Sequence, residues 1–556
     1  MILVAPDHER EFGIEEFFEL FKTPWRYWRQ GCEALGPGDV LVATGSFPEG
    51  TAPARGILLG SRSSCLDEEI GVQSRHVDGV RKVLWGKWEL PVYTGLLTFA
   101  STPSVLCVEA QSGDPVAYGI QRADFKIIRL GYDLFEEVEF MLRYGQSIQF
   151  AQIPTLEIHI AVFRALLLHL GMPVLEIPAR PHKHDFVTCL THDVDFMGIK
   201  EHGLDRSVIG FALRALAMRW VKAMDERVSV ARLLRNWKAL LALPWVHLGI
   251  CKDFWIDIPK YAILEKGKAS TYFFLPFKNY PGQSGNGESP QRKRAAKYDL
   301  DCYVDLLQML LGSGNEIGLH GIDAWASQDR GKLEIERIKR HTGDLPIGVR
   351  MHWLYFDERT PARLEEASFL YDSSRGYNEA VGFACGTTQV FRLCGTRALY
   401  ELPLNVMDTA LFCKGRMGLS EAEAMKCVEQ VLQAFGQHGG VFTLNWHTRS
   451  LSPERNWDQF YVALLRKIEQ YRTVFLTARD AVGWFSARRS IKFTMVSHEK
   501  RSVVVKMEGQ WPGSLPPPSI SLFLPQEGSL SIERLANHGP SAEAAWSGER
   551  ELRLLG

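Results

Sequence analysis

From residue 185 to about 487 the chain repeats one alternation, a short apolar run, a polar break, then a segment with helical spacing. The apolar runs fall at 186–191, 269–275, 315–320, 346–350, 368–372, 400–404 and 440–446. Helical segments such as Tyr303 to Leu311, Leu333 to His341 and Ser420 to Phe435 separate most of them. Apolar runs of that length, closed by turn residues, read as buried strands. Strand-then-helix units predict a parallel sheet or barrel, not an antiparallel sandwich. The expected fold class is α/β.

A chain of 556 residues exceeds one ordinary core, so two to four domains are expected. Residues 1–180 mix strand-like pieces, such as Gly56 to Gly60, with helical spacing over Phe135 to Tyr144 and Ile158 to Leu170, and predict an N-terminal α/β accessory domain. His159 and His169 lie there on a Leu- and Ile-rich helix and read as helix-surface or satisfied core residues, not ligands. Residues 185–487 form the repeating domain. It is interrupted at 203–250 by an insertion with an apolar stretch, Val208 to Leu216, followed by Arg219, Lys222, Arg232, Arg235 and Lys238. This predicts a helical hairpin covering the repeating domain; the sharper alternative is a basic amphipathic surface for a membrane or an anionic glycan carrier. Gly282 to Lys297 reads as a polar surface loop. Residues 488–556, with strand-like Val503 to Met507 and Ile520 to Leu524, predict a small β-rich appendage.

The 64 basic and 65 acidic residues leave a net charge of −1, which advertises no nucleic-acid partner. Ten cysteines form no C-x-x-C pair, and Cys107, Cys189 and Cys385 sit in apolar stretches as reduced core cysteines do. No run reaches membrane-spanning length and no secretory leader is evident, so a cytoplasmic location, with membrane association through 203–250 as the alternative, is the expectation.

Polar residues cluster where the runs end. Thr191-His192-Asp193-Val194-Asp195 follows the first run, and carboxylates two apart on extended backbone point the same way. Later runs deliver His320 and Asp323, then Arg350, His352 and Trp353, then Asp372 to Ser374, then Trp446 and His447. Open α/β sheets and barrels build their sites at the carboxyl ends of strands. A carboxylate and imidazoles suit a divalent ion with an open position. A second carboxylate could take a proton from water, a histidine opposite could protonate a leaving group, and an arginine could keep the base ionised.

This succession resembles the polysaccharide deacetylases of carbohydrate esterase family four, the nodulation-type deacetylase superfamily. The family's T-F-D-D-G is similar to Thr191 to Asp195 with the second acid moved one position along. R-P-P-Y/W resembles Arg350 to Trp353, and L-x-x-H resembles Leu444 to His447. A bacterial subgroup with T-H-D-V-D, E-I-G-L-H-G, R-x-H-Y/W-L, Y-D-S-S, G-F-x-x-G-T and E-x-P-L-x-V-M-D is closer still. These correspond to Thr191 to Asp195, Glu316 to Gly321, Arg350 to Leu354, Tyr371 to Ser374, Gly382 to Thr387 and Glu401 to Asp408. The resemblance covers about 186–480 with the motif order kept. It implies a distorted (β/α) barrel of about seven strands as the catalytic domain and removal of acetyl groups from N-acetylated sugars of a polysaccharide or its precursor. It also implies a divalent metal, with zinc the expected ion. By the same resemblance Asp193 is the general base, Asp195 and His320 are metal ligands, Arg350 is the partner of the base and His447 is the general acid. Trp353, Trp446 and Asp372 would line the sugar site.

The family's metal motif, H-S/T-x-x-H, is incomplete here, because Ala324 stands four positions after His320. His352 is the preferred replacement ligand and Asp323 the alternative. A third reading has no tightly bound metal. Two other functions follow from that gap: a related hydrolase of a different C–N bond with little metal need, and a glycan-binding protein that has lost turnover.

Overall fold

The computed structural model describes all residues except 7–10, 30–34, 204, 222–229, 284–293, 500–501, 526–533, 535–538, 547, 549–550 and 556. The protein is of mixed α/β type and divides into two compact units. One comprises residues Met1–Lys183, Cys385–Cys394 and Trp484–Gly556; the other comprises His184–Ala384 and Gly395–Gly483.

In the first unit five parallel strands run in the order Trp25–Tyr27, Ile2–Ala5, Val40–Thr44, Arg55–Leu59 and Lys126–Leu130. An antiparallel extension begins at Pro115–Gln121. Helices Leu134–Tyr144 and Thr155–His169 lie where helical spacing was read. The C-terminal segment is β-rich: Ser502–Glu508 pairs with Lys492–Glu499 and Glu551–Leu555. Its Ser519–Phe523 strand pairs with Val174–Glu176, and Leu175 and Ile177 share one core with Val505, Ile520 and Trp546.

The second unit is built on a parallel sheet. Its strands lie in the order Tyr400–Glu401, Tyr371–Asp372, Val349–Met351, Glu316–Gly321, Ser270–Phe274, Phe186–Val194, Val441–Asn445 and Val406–Met407, and Thr473–Phe475 also pairs with Phe186–Val194. Every residue of Phe186–Val194 is buried, as the apolar run requires. The sheet curls until its two ends are joined by one extended segment. Leu402 N–H donates to the Asp372 carbonyl (2.8 Å) and Asn405 N–H to that of Thr443 (3.1 Å). The strand pieces Val406–Met407 and Thr473–Phe475 were not anticipated.

Helices cover the sheet's outer face. Glu421–His438 starts in a capping box of Ser420 and Glu423, and Gly439, with φ of 77°, turns the chain out of it toward the next strand. Its Val428, Val431 and Phe435 pack with Phe186, Phe442 and Leu444 in one apolar cluster. The 203–250 insertion is a helical hairpin of Arg206–Val221 and Val230–His247. Residues 222–229, Lys222 among them, lie outside the described residues, and the Arg219 side chain is likewise not described. Of the loop read at 282–297, residues 284–293 are also outside them, and Arg294 is buried instead of solvated. Among the described residues no helix is long and apolar enough to cross a membrane.

Candidate active site

Parallel strands deliver their last residues to one end of the sheet, and alternation decides which of those residues face inward. Thr191, Asp193 and Asp195 share one side of their strand and its exit; Arg350 and His352 do the same three strands along. The pairs meet in two layers. In the inner layer Arg350 Nη1 donates to Asp193 Oδ1 (3.0 Å) and to Thr191 Oγ1 (2.7 Å). In the outer layer Asp195 Oδ1 lies 3.5 Å from His352 Nε2 and 3.4 Å from His320 Nε2. His320 comes from Glu316–Gly321, the strand next to that of Arg350 and in register with it.

Asp193 is clamped. Its second oxygen accepts from Asn445 Nδ2 at 2.7 Å. Burial by itself would raise this carboxyl, but His320, Arg350 and His447 outweigh it and hold the group below the ordinary carboxylate range. Arg350 is fully buried; it also donates to the carbonyl and Oγ of Ser373 (3.1 and 2.9 Å) and lies over the Phe273 ring. A guanidinium anchored at that many points cannot swing away from its carboxylate.

His447 stands near Asp195, its Nε2 3.9 Å from Oδ2. Its Nδ1–H donates to Asp408 Oδ1 at 2.6 Å, while Asp408 Oδ2 accepts the His447 backbone N–H (2.8 Å) and the Ser450 hydroxyl. Burial would depress this imidazole, yet Asp408, with Asp195 and Asp193, raises it to about 9. It is therefore an imidazolium at neutral pH with Nε2–H free to be donated.

Donor atoms of Asp195, His320 and His352 all lie within 4.8 Å of one another. His320 Nδ1–H donates to the Arg350 carbonyl at 2.8 Å, which leaves Nε2 as the ring atom that could bind a metal ion. Asp195 Oδ1 is buried with no hydrogen-bond partner among the described residues, and burial pushes the His352 imidazole down to about 3, so that ring is neutral. The His320 Nε2 atom, the neutral His352 imidazole and a carboxylate oxygen fit a divalent cation. Asp323, the alternative ligand, is elsewhere engaged: it accepts from Tyr280 Oη (2.6 Å) and Gln283 N–H (2.7 Å) and is not in the cluster.

Two expected sugar contacts are corrected. Trp446 is fully buried among Phe412, Phe460 and Tyr461, because it alternates with the inward-facing Asn445 and points into the helix layer. Asp372 is fully buried too; its Oδ1 accepts from Ser374 Oγ, whose oxygen in turn accepts the Met351 N–H (2.9 Å). It braces the strand that carries Arg350. Burial raises the Asp372 carboxyl, and it raises Glu401 further through Asp372's charge. Trp353 is half-buried near His352 and beneath Arg294, with φ of 66°, a left-handed conformation rare for a non-glycine residue and shared by Leu354. His192 faces the opposite way, between the Trp446 carbonyl (2.8 Å) and Glu265 (3.0 Å). Asn445 and Asp408 were not singled out from the sequence. Asn445 had a signal, as an amide closing an apolar strand two residues before His447; Asp408 closes a quoted motif but has no local reason to meet His447.

No protein-family sequence model matches the chain. No curated protein matches it either. Several solved structures are similar in part. One described as a polysaccharide deacetylase from Mycobacterium smegmatis is 18% identical, with TM-score 0.34, over 58% of this chain and 99% of that one. PuuE allantoinase is 13% identical, with TM-score 0.34, over 56% of this chain and 93% of its own. The catalytic domain of a peptidoglycan N-acetylglucosamine deacetylase from Eubacterium rectale is 11% identical, with TM-score 0.25, over 54% and 93%. At such identities and TM-scores they assign neither substrate nor mechanism to this chain.

Proposed function

We propose that this protein is a hydrolase of carbon–nitrogen amide bonds that removes acetyl groups from N-acetylated sugars, with a divalent metal, zinc by its donor set, at Asp195, His320 and His352. The observation that carries the reading is the division of labour around one small space: an ionised carboxylate locked by Arg350 and Asn445, and an imidazolium locked by Asp408, on either side of a three-donor cluster. When bound, the ion would polarise the acetyl carbonyl and acidify a water. Asp193 takes the proton of the water that attacks the carbonyl carbon. His447 gives its Nε2 proton to the sugar nitrogen as the C–N bond breaks, so acetate and a free amine leave. Arg350 keeps Asp193 aimed and ionised, and the half-buried Trp353 offers a flat apolar face suited to a pyranose ring.

Metal analysis of purified protein, with acetate release from N-acetylglucosamine oligomers before and after chelation, tests this. About one divalent ion per chain and activity lost on chelation and restored by zinc are expected. Activity that survives complete metal removal would point instead to the metal-independent C–N hydrolase. Asp193→Asn is expected to lower kcat by about 10²–10⁴-fold with metal content unchanged; undiminished turnover would remove Asp193 as the base.

A further inference from the structure

The hairpin at 203–250 has an apolar face that the described residues leave exposed. Helix Val230–His247 is apolar on two opposite sides. Ala239, Leu243 and Val246 turn inward, onto a cluster with Phe211 and Trp255. Leu234, Trp237, Leu241, Trp245 and Leu248, spaced three and four apart on the other side, are exposed by 43% to 74%. The partner helix repeats the arrangement, with Val208, Phe211 and Ala215 buried and Ile209, Leu213 and Leu216 at least half exposed. Side chains of that size in two unbroken stripes mark a contact surface.

Charge identifies the occupant. Helices Arg206–Val221 and Val230–His247 contain Arg206, Arg214, Arg219, Arg232, Arg235 and Lys238 and no Asp or Glu, in a chain whose net charge is −1. Arg232 and Arg235 fasten the hairpin to Glu421 (2.7 Å) and Asp458 (2.6 Å), while Lys238 is exposed beside the stripe. A second copy seated on this face about a two-fold axis would bring the same basic helices together, which like charge opposes. An anionic bilayer meets both features, since the stripe enters the boundary between headgroups and acyl chains while the cations meet phosphates. We propose that this hairpin seats the protein on an anionic membrane surface as a peripheral, non-spanning anchor. The hairpin leaves its strand at the site's own rim. Phe196, the residue after Asp195, packs on Trp255 of the hairpin's inner cluster, and Thr448, the residue after His447, donates to the Phe196 carbonyl.

Co-sedimentation of the full chain with phosphatidylcholine vesicles, with and without about a third phosphatidylglycerol, tests the proposal without any acetylated sugar, so the outcome is independent of the proposed activity. Binding to the anionic vesicles is expected to exceed that to neutral ones about tenfold or more, and to fall with added salt. The double variant Leu241→Glu/Trp245→Glu is expected to lose about tenfold or more of it with an unchanged circular dichroism spectrum. The single variant Lys238→Glu, which leaves the stripe whole, should weaken only the anionic binding. Equal sedimentation with and without vesicles would overturn the proposal. So would a stable dimer that Leu241→Glu converts to monomer, because the stripe would then belong to a second copy.

Discussion

A histidine that protonates a leaving amine has to be an imidazolium when the bond breaks, and an unassisted one at neutral pH is mostly neutral. In the proposed reaction Asp408 would supply that assistance to His447, and the pH dependence of turnover should report it. With His447 raised to about 9, the proton to be donated is present below that pH and lost above it, so kcat falls on the basic side. Asp408→Asn removes the neighbouring charge and is expected to move that limb to lower pH by about one unit or more, with little change in KM. A pH–rate profile whose basic limb stays in place would show that Asp408 only positions the ring. Asp193, Asp195 and His447 could be picked out as candidates because they stand where apolar runs end. Asp408 could not, since its partner lies 39 residues along the chain.

At the level of elements, the inner layer depends on how closely three short strands pack. Gly348 precedes Val349–Met351, and a Cβ there would lie 1.9 Å from Cζ of Tyr371 on the next strand. Tyr371 would have to move, and its hydroxyl now donates to Glu316 Oε1 at 2.9 Å. Gly348→Ala is expected to cost about 1–3 kcal/mol in urea unfolding. Gly312→Ala, at the end of helix Val304–Gly312, has open space around its Cβ and should be neutral or slightly stabilising. An unchanged midpoint for Gly348→Ala would mean that Tyr371 has room to give. In the second unit Phe186–Val194, Ser270–Phe274, Glu316–Gly321 and Val441–Asn445 were readable from their apolar runs. Val406–Met407 and Thr473–Phe475 were not, and each is too short to show a period of its own.

Across the whole molecule, buried carboxyls held in their neutral form tie stability to pH. Glu157 is buried; its Oε1 accepts from Thr387 Oγ1 (2.7 Å) and Thr388 N–H (3.0 Å), and its Oε2 has no partner among the described residues. Burial raises it to about 7. Its folded value lies above its unfolded one, so its contribution is full below the unfolded pKa and is lost as pH rises to about 7. Glu157→Gln keeps the acceptor oxygen and carries no charge. Urea unfolding between pH 5 and 8 should show a shallower decline in the variant than in the parent; identical slopes would mean the carboxyl is ionised in the fold. The sequence by itself determined the parallel α/β frame and the order in which carboxylates, imidazoles and the guanidinium arrive at strand ends, because strand period and strand exit are local properties. Tertiary structure alone decided that His352 and not Asp323 joins Asp195 and His320, that Trp446 faces the core, and that Asp372 braces a neighbouring strand. Each of those depends on the register between strands remote in sequence, which no local pattern encodes.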